Sequence, residues 1–290
     1  MKTMLKFIFV PLIVFVFAVQ ANAFSRGIYL TQDTVQNKVK LAHLIQQAKK
    51  YGIDTFVIDI NIRNKHYPAA IKTVLDNGIQ YVARVVVFPH GATRAQINDK
   101  AIWEKRLGLV KYAIELGASS IQLDYIRYRS AYPATPEKAQ HVLKVVQFFK
   151  DQLASYKNVK LQMDIFGIAA HKPAHTIGQD PNLLATVVNA FCPMVYPSHY
   201  EPFRHHAIRP YETIYASITA LKKQIQAHPA VAIYAYIELF NYRYPLSSDA
   251  KTRYIVAQMK AAKDSGADGY YVWSATNHYA PLFRVLAMRQ

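Results

Sequence analysis

The sequence predicts an α/β protein folded as a (β/α)8 barrel in one domain. Three observations carry that prediction. Strand-like and helix-like segments alternate eight times after residue 24, the size and rhythm of such a barrel. Turns from helix to strand are tight, as at Tyr51-Gly52-Ile53, Asn77-Gly78, Gly117-Ala118 and Gly266-Ala267, whereas the strand-to-helix segments 126–136, 166–181, 197–210 and 239–249 are long. Long loops gather where function sits, which in this fold is the C-terminal face of the barrel. Third, three strands carry an acid near their ends: Asp59, Asp124 and Asp164. A doubly wound open sheet is the competing architecture, but no glycine-rich phosphate loop follows the first strand.

The elements follow from periodicity. Strand one is predicted over Arg26 to Thr31, followed by a helix from about Gln36 to Tyr51 with Val39, Leu41, Leu44, Ile45 and Ala48 as its apolar positions. Strand two covers Asp54 to Ile60, before a short helix around Ala69 to Leu75. Strand three, Gln80 to Val87, precedes a helix over about Asp99 to Glu115. In strand four Ile121, Leu123 and Tyr125 alternate with Gln122 and Asp124, the period of a strand with unlike faces. The next helix starts at Pro136, a natural first-turn residue, and runs to about Ser155. Strand five is Val159 to Ile165, a short helix begins near Pro181, and strand six is Ala190 to Tyr196. A helix over about Tyr211 to Ala227 leads to strand seven, Val231 to Glu238. A helix over Asp249 to Ser265, strand eight at Gly269 to Trp273 and a helix over Ala280 to Met288 complete the chain.

Residues 1–23 read as a secretory signal peptide. Lys2 and Lys6 supply the positive start, Phe7 to Val19 the short apolar run, and Ala21-Asn22-Ala23 the small-x-small cleavage pattern. The run is short for a membrane span and Pro11 interrupts it; an uncleaved anchor is the alternative. The expected mature domain is residues 24–290, secreted or periplasmic, with no stable membrane insertion. Cys192 is the only cysteine, so no intramolecular disulfide forms and the fold must hold by its core. The net charge of +17 fits anionic surroundings such as envelope polymers or acidic glycans. Secretion argues against nucleic acid, and a purely solubilising role for the basic residues is the plainer alternative.

Strand alternation assigns Tyr29, Asp59, Arg84, Gln122, Asp124, Gln162, Asp164, Tyr196, Tyr234, Tyr236, Glu238 and Trp273 to the barrel interior. A purely structural barrel would fill those positions with Val, Ile and Leu. Neighbouring buried carboxylates cost free energy unless they are paired, protonated or used. Asp124, Asp164 and Glu238 are the candidate acids for glycoside hydrolysis, which needs one carboxyl to protonate the leaving oxygen and one to attack or activate water. Arg84, one strand from Asp124, would hold that residue ionised. Tyr196, Tyr236 and Trp273 offer flat faces to sugar rings. The competing reading makes Arg84, Asp59 and Asp124 an internal ion-pair network. His171 and His175 could be read as a metal pair for a deacetylase, but Pro173 breaks their helical spacing, so no metal site and no cofactor are expected. His199 is expected to contact substrate. No serine or cysteine nucleophile motif is evident, and Cys192 reads as core.

In chain order, RGIYLT, VIDI, VARVVVFP, IQLDYIRY, MDIFG, IGQD, PMVYPSHY and VWSATNHY together resemble a bacterial family described as a putative glycosyl hydrolase domain, long filed as a domain of unknown function. The resemblance spans essentially the whole mature chain, and DYIRY and PMVYPSHY are its most specific parts. It implies a TIM barrel related to glycoside hydrolases, and hence polysaccharide cleavage. By the same resemblance Asp124 matches the family's DYIR aspartate, with Arg127 beside it, Asp164 the acid before Phe-Gly, Gln179 the Gly-Gln element, and Tyr196 to Tyr200 the YPSHY run. Departures fall at Asn61 to His66, where the family carries a further acidic segment, and at Tyr236 to Phe240, where Glu238 stands near an expected polar position. The expected protein is a glycosidase acting on an envelope or extracellular polysaccharide through Asp124 and Asp164, with Glu238 as alternative acid. Asp59, Arg84, Arg127, Gln179, Tyr196, His199, Tyr236 and Trp273 are the expected substrate contacts. A glycan-binding barrel without turnover is the rival.

Overall fold

The structure is a computed structural model that describes residues 24–129, 133–240 and 242–288. The expected signal peptide lies outside the described residues. Among these, no helix is long and apolar enough to cross a membrane.

The barrel opens with β1 (Ser25–Leu30), α1 (Gln32–Gln36), α2 (Lys38–Tyr51), β2 (Thr55–Asp59), α3 (Tyr67–Asp76) and β3 (Gln80–Val86). It continues through α4 (Arg94–Ile97), α5 (Lys100–Glu115), β4 (Ser120–Asp124), α6 (Pro136–Gln152) and β5 (Lys160–Phe166). Next come α7 (Gly167–His171), α8 (Pro181–Leu184), β6 (Ala190–Met194), a 3-10 turn at Pro197–His199, α9 (Phe203–Ala207) and α10 (Pro210–Gln224). The chain closes with β7 (Ala232–Glu238), α11 (Ser248–Asp264), β8 (Gly269–Trp273) and α12 (Ala280–Ala287). Every strand pairs in parallel with its sequence neighbours, and β1 pairs with β8 to close the barrel. This is the (β/α)8 fold the alternation predicts.

The structure differs from the sequence reading mainly inside the loops. The expected strand six ends at Met194 rather than Tyr196, because Val195 donates back to Pro193 O and turns the chain. Periodicity does not reveal the short helices α1, α4, α7 and α9; each is one turn or so, too short for an apolar stripe to register.

Two cores follow from the strand faces. Outward residues such as Phe56, Ile58, Ile121, Leu123, Met163 and Ile165 pack under the helices. Inside the barrel a separate cluster holds Tyr29, Val57, Val82, Cys192, Tyr196, Tyr236 and Tyr271. Above its lower part lies a layer of amides. Gln122 Nε2 donates to Gln162 Oε1 at 3.1 Å, and Tyr236 OH donates to Gln122 Oε1 at 2.8 Å. Cys192 completes that layer through contacts to both glutamines. The satisfied amides form a polar floor on which the acids of the next layer stand.

Candidate active site

The site is built at the C-terminal ends of the strands. A cleft of about 560 Å³ opens there, and its walls include Arg84, Asp124, Asp164, Tyr196, His199, Tyr236 and Trp273. Parallel register explains the meeting of the first three. Val86 stands opposite Asp124, Arg84 opposite Gln122, and Gln122 opposite Gln162, so inward residues two further along, Asp124 and Asp164, share one level.

Arg84 is the hub. Its Nη1 donates to Asp59 Oδ1 at 2.5 Å, its Nη2 donates to Asp124 Oδ2, and its Nε lies 3.5 Å from Asp164 Oδ2. Asp59 also accepts from Tyr29 OH at 2.5 Å. Asp124 Oδ1 accepts from the N–H of Tyr125 at 2.5 Å. Tyr125 adopts φ 56°, a left-handed conformation uncommon for a residue with a bulky side chain. That bend ends β4 at the acid and turns the following N–H back onto it.

Asp164 is treated differently. It is 1% exposed and its Oδ1 has no donor among the described residues. Burial first, and the neighbouring Asp124 carboxyl second, push its pKa well above the ordinary carboxylate range; Arg84 works against them. Three acids share one guanidinium, so the least costly state leaves a proton in the cluster. Placed on Asp164, that proton turns an orphaned acceptor into a donor toward the Asp124 carboxylate. Such a cluster favours one protonated acid beside one ion-paired carboxylate, an arrangement that suits general acid catalysis.

The walls are aromatic. Tyr196 stacks on Trp273 with centroids 5.5 Å apart and planes 21° apart, and Phe240 meets Trp273 edge-on at 4.4 Å. His199 packs edge-on against Tyr196, and burial followed by the charge of Arg243 lowers its pKa, so it faces the cleft neutral. Gly167 opens the opposite wall, since a Cβ there would lie 2.3 Å from Tyr200 Oη. Tyr200 OH and His171 Nε2 both meet Ser217 Oγ at 2.9 Å.

Several expected contacts sit elsewhere. Glu238, expected as an alternative acid, is wholly buried and does not line the cleft. Its Oε2 accepts from Ser198 Oγ at 2.5 Å, and its Oε1 accepts from Ser198 N at 3.0 Å and Tyr254 OH at 2.9 Å. It anchors the turn that carries His199 instead of facing substrate. Asp59 lies behind Arg84. Gln179, also wholly buried, accepts from Phe166 N at 2.8 Å and ties the end of β5 to the chain after β4. Arg127 stacks over the Phe166 ring at 4.8 Å without lining the cleft itself. Tyr236 lines the cleft with its ring while its hydroxyl serves the amide floor. His171 and His175 engage different partners, Ser217 and Asp180. No three metal-ligating side chains converge among the described residues.

The sequence reading did not single out Phe166, Ile168, Met194 or Glu201, which also line the cleft. Met194 shares the inward parity of its strand, but it is neither polar nor aromatic and so carries no chemical signal in the sequence. Glu201 sits in an irregular loop where no period exists to place it.

A family model described as "Putative glycosyl hydrolase domain" matches residues 90–279, more than half of the chain. No curated protein matches. Among solved structures, the spore cortex-lytic enzyme SleL of Bacillus cereus is 13% identical with a TM-score of 0.66, over 92% of this chain and 74% of that one. A class V chitinase of Pseudomonas fluorescens is 14% identical with a TM-score of 0.65, over 91% and 99% of the two chains. An endo-1,4-beta-mannanase of Rhizomucor miehei is 9% identical with a TM-score of 0.65, over 89% and 88%. At these identities the structural likeness speaks to the fold. The family match and the barrel together establish that the chain belongs to the Putative glycosyl hydrolase domain family, as a TIM-barrel enzyme of the glycosidase class.

Proposed function

We propose that the protein hydrolyses glycosidic bonds of an envelope or extracellular polysaccharide of anionic character, as a secreted or periplasmic enzyme. Asp164 is the general acid and Asp124 the carboxylate that meets the anomeric centre. The observation that carries this reading is the pairing of a buried Asp164, whose pKa burial and the Asp124 carboxyl raise, with an Arg84-bound Asp124 on the floor of one aromatic cleft. Asp164 gives its proton to the glycosidic oxygen as the bond from that oxygen to the anomeric carbon breaks and its electron pair passes to the oxygen. The Asp124 carboxylate stabilises the positive charge that develops on the sugar; water then supplies the hydroxyl of the product, and its remaining proton passes to Asp164 and restores the acid. Tyr196 and Trp273 give the ring a flat apolar face. The N-terminal apolar run with its Ala21-Asn22-Ala23 site supports export, and the net charge, +17 for the whole chain and +15 once Lys2 and Lys6 leave with the signal peptide, supports an anionic polymer.

The test is reducing-end release from a panel of bacterial envelope glycans by wild type, Asp124→Asn and Asp164→Asn. One glycan is cleaved by wild type, and each variant folds and loses roughly 10²- to 10⁴-fold in rate. Undiminished cleavage by either variant removes its residue from the mechanism. A glycan-binding barrel without turnover is the second reading, favoured by the closure of Arg84 on both Asp59 and Asp124. Equal binding of one glycan by all three proteins, with no cleavage, selects it.

A further inference from the structure

A second cavity, of about 240 Å³, lies beside the cleft on the same end of the barrel. Its lining includes His90 and Gly91 after β3, Arg129 after β4, Gln96 at α4, and Lys105 and Arg106 on α5. Among the described residues no carboxylate lines it. We propose that this cavity is a subsite for an anionic group, a carboxylate or phosphate ester, carried by the glycan whose backbone occupies the cleft. The proposal rests on the reading of the cleft as a glycan site.

Charge is the first argument. Arg106 is half-buried, and burial lowers its pKa with no acid acting to restore it. Among the described residues neither Arg106 nor Lys105 pairs with a carboxylate. Acidic partners of helical cations stand three or four residues away. For Lys105 and Arg106 those positions are Ala101, Ile102, Trp103, Gly108, Leu109 and Val110. Elsewhere the fold does supply acids to surface cations: Arg94 has Glu137 at 2.7 Å, and Lys72 has Asp76 at 2.7 Å. Gathering cations around a small cavity without a counter-charge raises their mutual repulsion, which an anion relieves.

Preorganisation is the second argument. The loops after β3 and β4 are zipped together. Ala92 N donates to Arg127 O at 2.8 Å, Arg129 N donates to Ala92 O at 3.1 Å, and Arg129 Nε donates to Gly91 O at 3.2 Å. Gly91 has φ 73°, and a Cβ there would lie 2.9 Å from Arg127 Nη1 and 3.0 Å from Tyr128 O. Glycine is therefore what lets the two loops meet. The same contact links the cavity to the cleft. Arg127, beside Gly91, stacks on Phe166, and Phe166 lines the cleft wall. A polymer crossing Phe166 would bring its next substituents toward the cations.

Calorimetric binding of a galacturonate hexamer, its fully methyl-esterified form and a short glycerol-phosphate polymer tests this, with wild type, Arg106→Gln and Lys105→Gln. Wild type binds at least one charged probe more tightly than the neutral hexamer, and added salt narrows the difference. Arg106→Gln loses about tenfold on that probe and leaves the neutral hexamer unchanged, as expected for one charge-assisted contact. Whichever charged probe binds more tightly identifies the group. Equal binding of charged and neutral probes by wild type, no binding of any probe, or charge selectivity unaltered in both variants overturns the subsite. Binding is read without turnover, so the two readings fail separately. A protein that cleaves no glycan but discriminates through Arg106 loses the hydrolase reading alone. One that cleaves without discriminating loses the subsite alone.

Discussion

At the open end of the barrel, Asp164 and Glu238 are both buried carboxyls whose proton affinity burial raises, yet their surroundings are opposites. Glu238 has three donors on its two oxygens, from Ser198 N, Ser198 Oγ and Tyr254 OH, and its backbone is clasped by the side chain of Gln258 through two bonds of 2.9 Å. Asp164 has a distant Arg84 Nε, an acid for a neighbour and an oxygen with no donor among the described residues. One acid is enclosed by its partners and holds a loop. The other is left short of partners at the floor of a cleft. Burial and a raised pKa are common to both, so neither distinguishes an acid that reacts from one that holds the fold; the count of donors and access to the cavity do.

The largest expected effect breaks the comparison at its reactive end. Asp164→Asn removes the transferable proton, and its amide takes over the donation toward Asp124 that the protonated acid makes. Activity falls by roughly 10²- to 10⁴-fold, while the melting temperature holds or rises. A parallel loss of stability and activity would place Asp164 with Glu238 as architecture. Glu238→Ala works at the other end. It strips acceptors from Ser198 N, Ser198 Oγ and Tyr254 OH and leaves a cavity, costing about 3 kcal/mol of stability. The turn carrying His199 loosens, so KM rises more than kcat falls. Intact stability in that variant would show that the clasp by Gln258 suffices.

A pH series sharpens the contrast. Burial raises the Glu238 pKa from its ordinary 4.5 to about 7, against the pull of its donors. The native state then binds the proton more tightly than the unfolded chain. This contribution to stability is fully present below 4.5 and is lost as pH rises toward about 7. It amounts to at most about 3 kcal/mol. Asp164 adds a slope of the same sign. Urea unfolding of wild type and Glu238→Gln from pH 5 to 8 separates the two, because the Glu238 share vanishes in the variant. Identical slopes would mean that Glu238 stays ionised. In the rate profile Asp164 acts while protonated, so activity declines on the alkaline side of a limb set above the ordinary carboxylate range. Asp164→Asn removes that limb and Glu238→Gln keeps it.

Much of this contrast was legible in the sequence, but not all of it. Alternation in IQLDY and LQMDI places Asp124 and Asp164 inside the barrel, and parallel register then puts them at one level. The same rule assigns Glu238 to the interior through Tyr234 and Tyr236, and there it misleads. Glu238 is the last residue of β7, where the strand ends and its side chain turns to Ser198 in the preceding loop and to Tyr254 on α11. Those partners lie 40 and 16 residues away with no periodic relation to the strand. The left-handed Tyr125 is hidden for a related reason: nothing in its residue type announces φ 56°, which the fold imposes on it. Periodicity reports which face a residue takes inside an element. It is silent about which groups the loops bring to that residue, and the loops decide whether a buried acid is satisfied.

The smallest expected effect concerns the cleft wall, where the comparison moves from acids to aromatics. Tyr196 and Trp273 are stacked on each other, whereas Tyr236 is tied through its hydroxyl to Gln122. Only the first pair has a wall whose main business is a flat apolar face. Trp273→Ala should therefore weaken glycan binding by about tenfold, within the range of one aromatic contact, with little change in kcat. Tyr236→Phe should leave binding unchanged and cost about 1 kcal/mol of stability by unpairing a buried amide oxygen. If Tyr236→Phe weakens binding as much as Trp273→Ala, then the amide floor is part of the recognition surface, and the boundary drawn between scaffold and site lies one layer too high in the barrel.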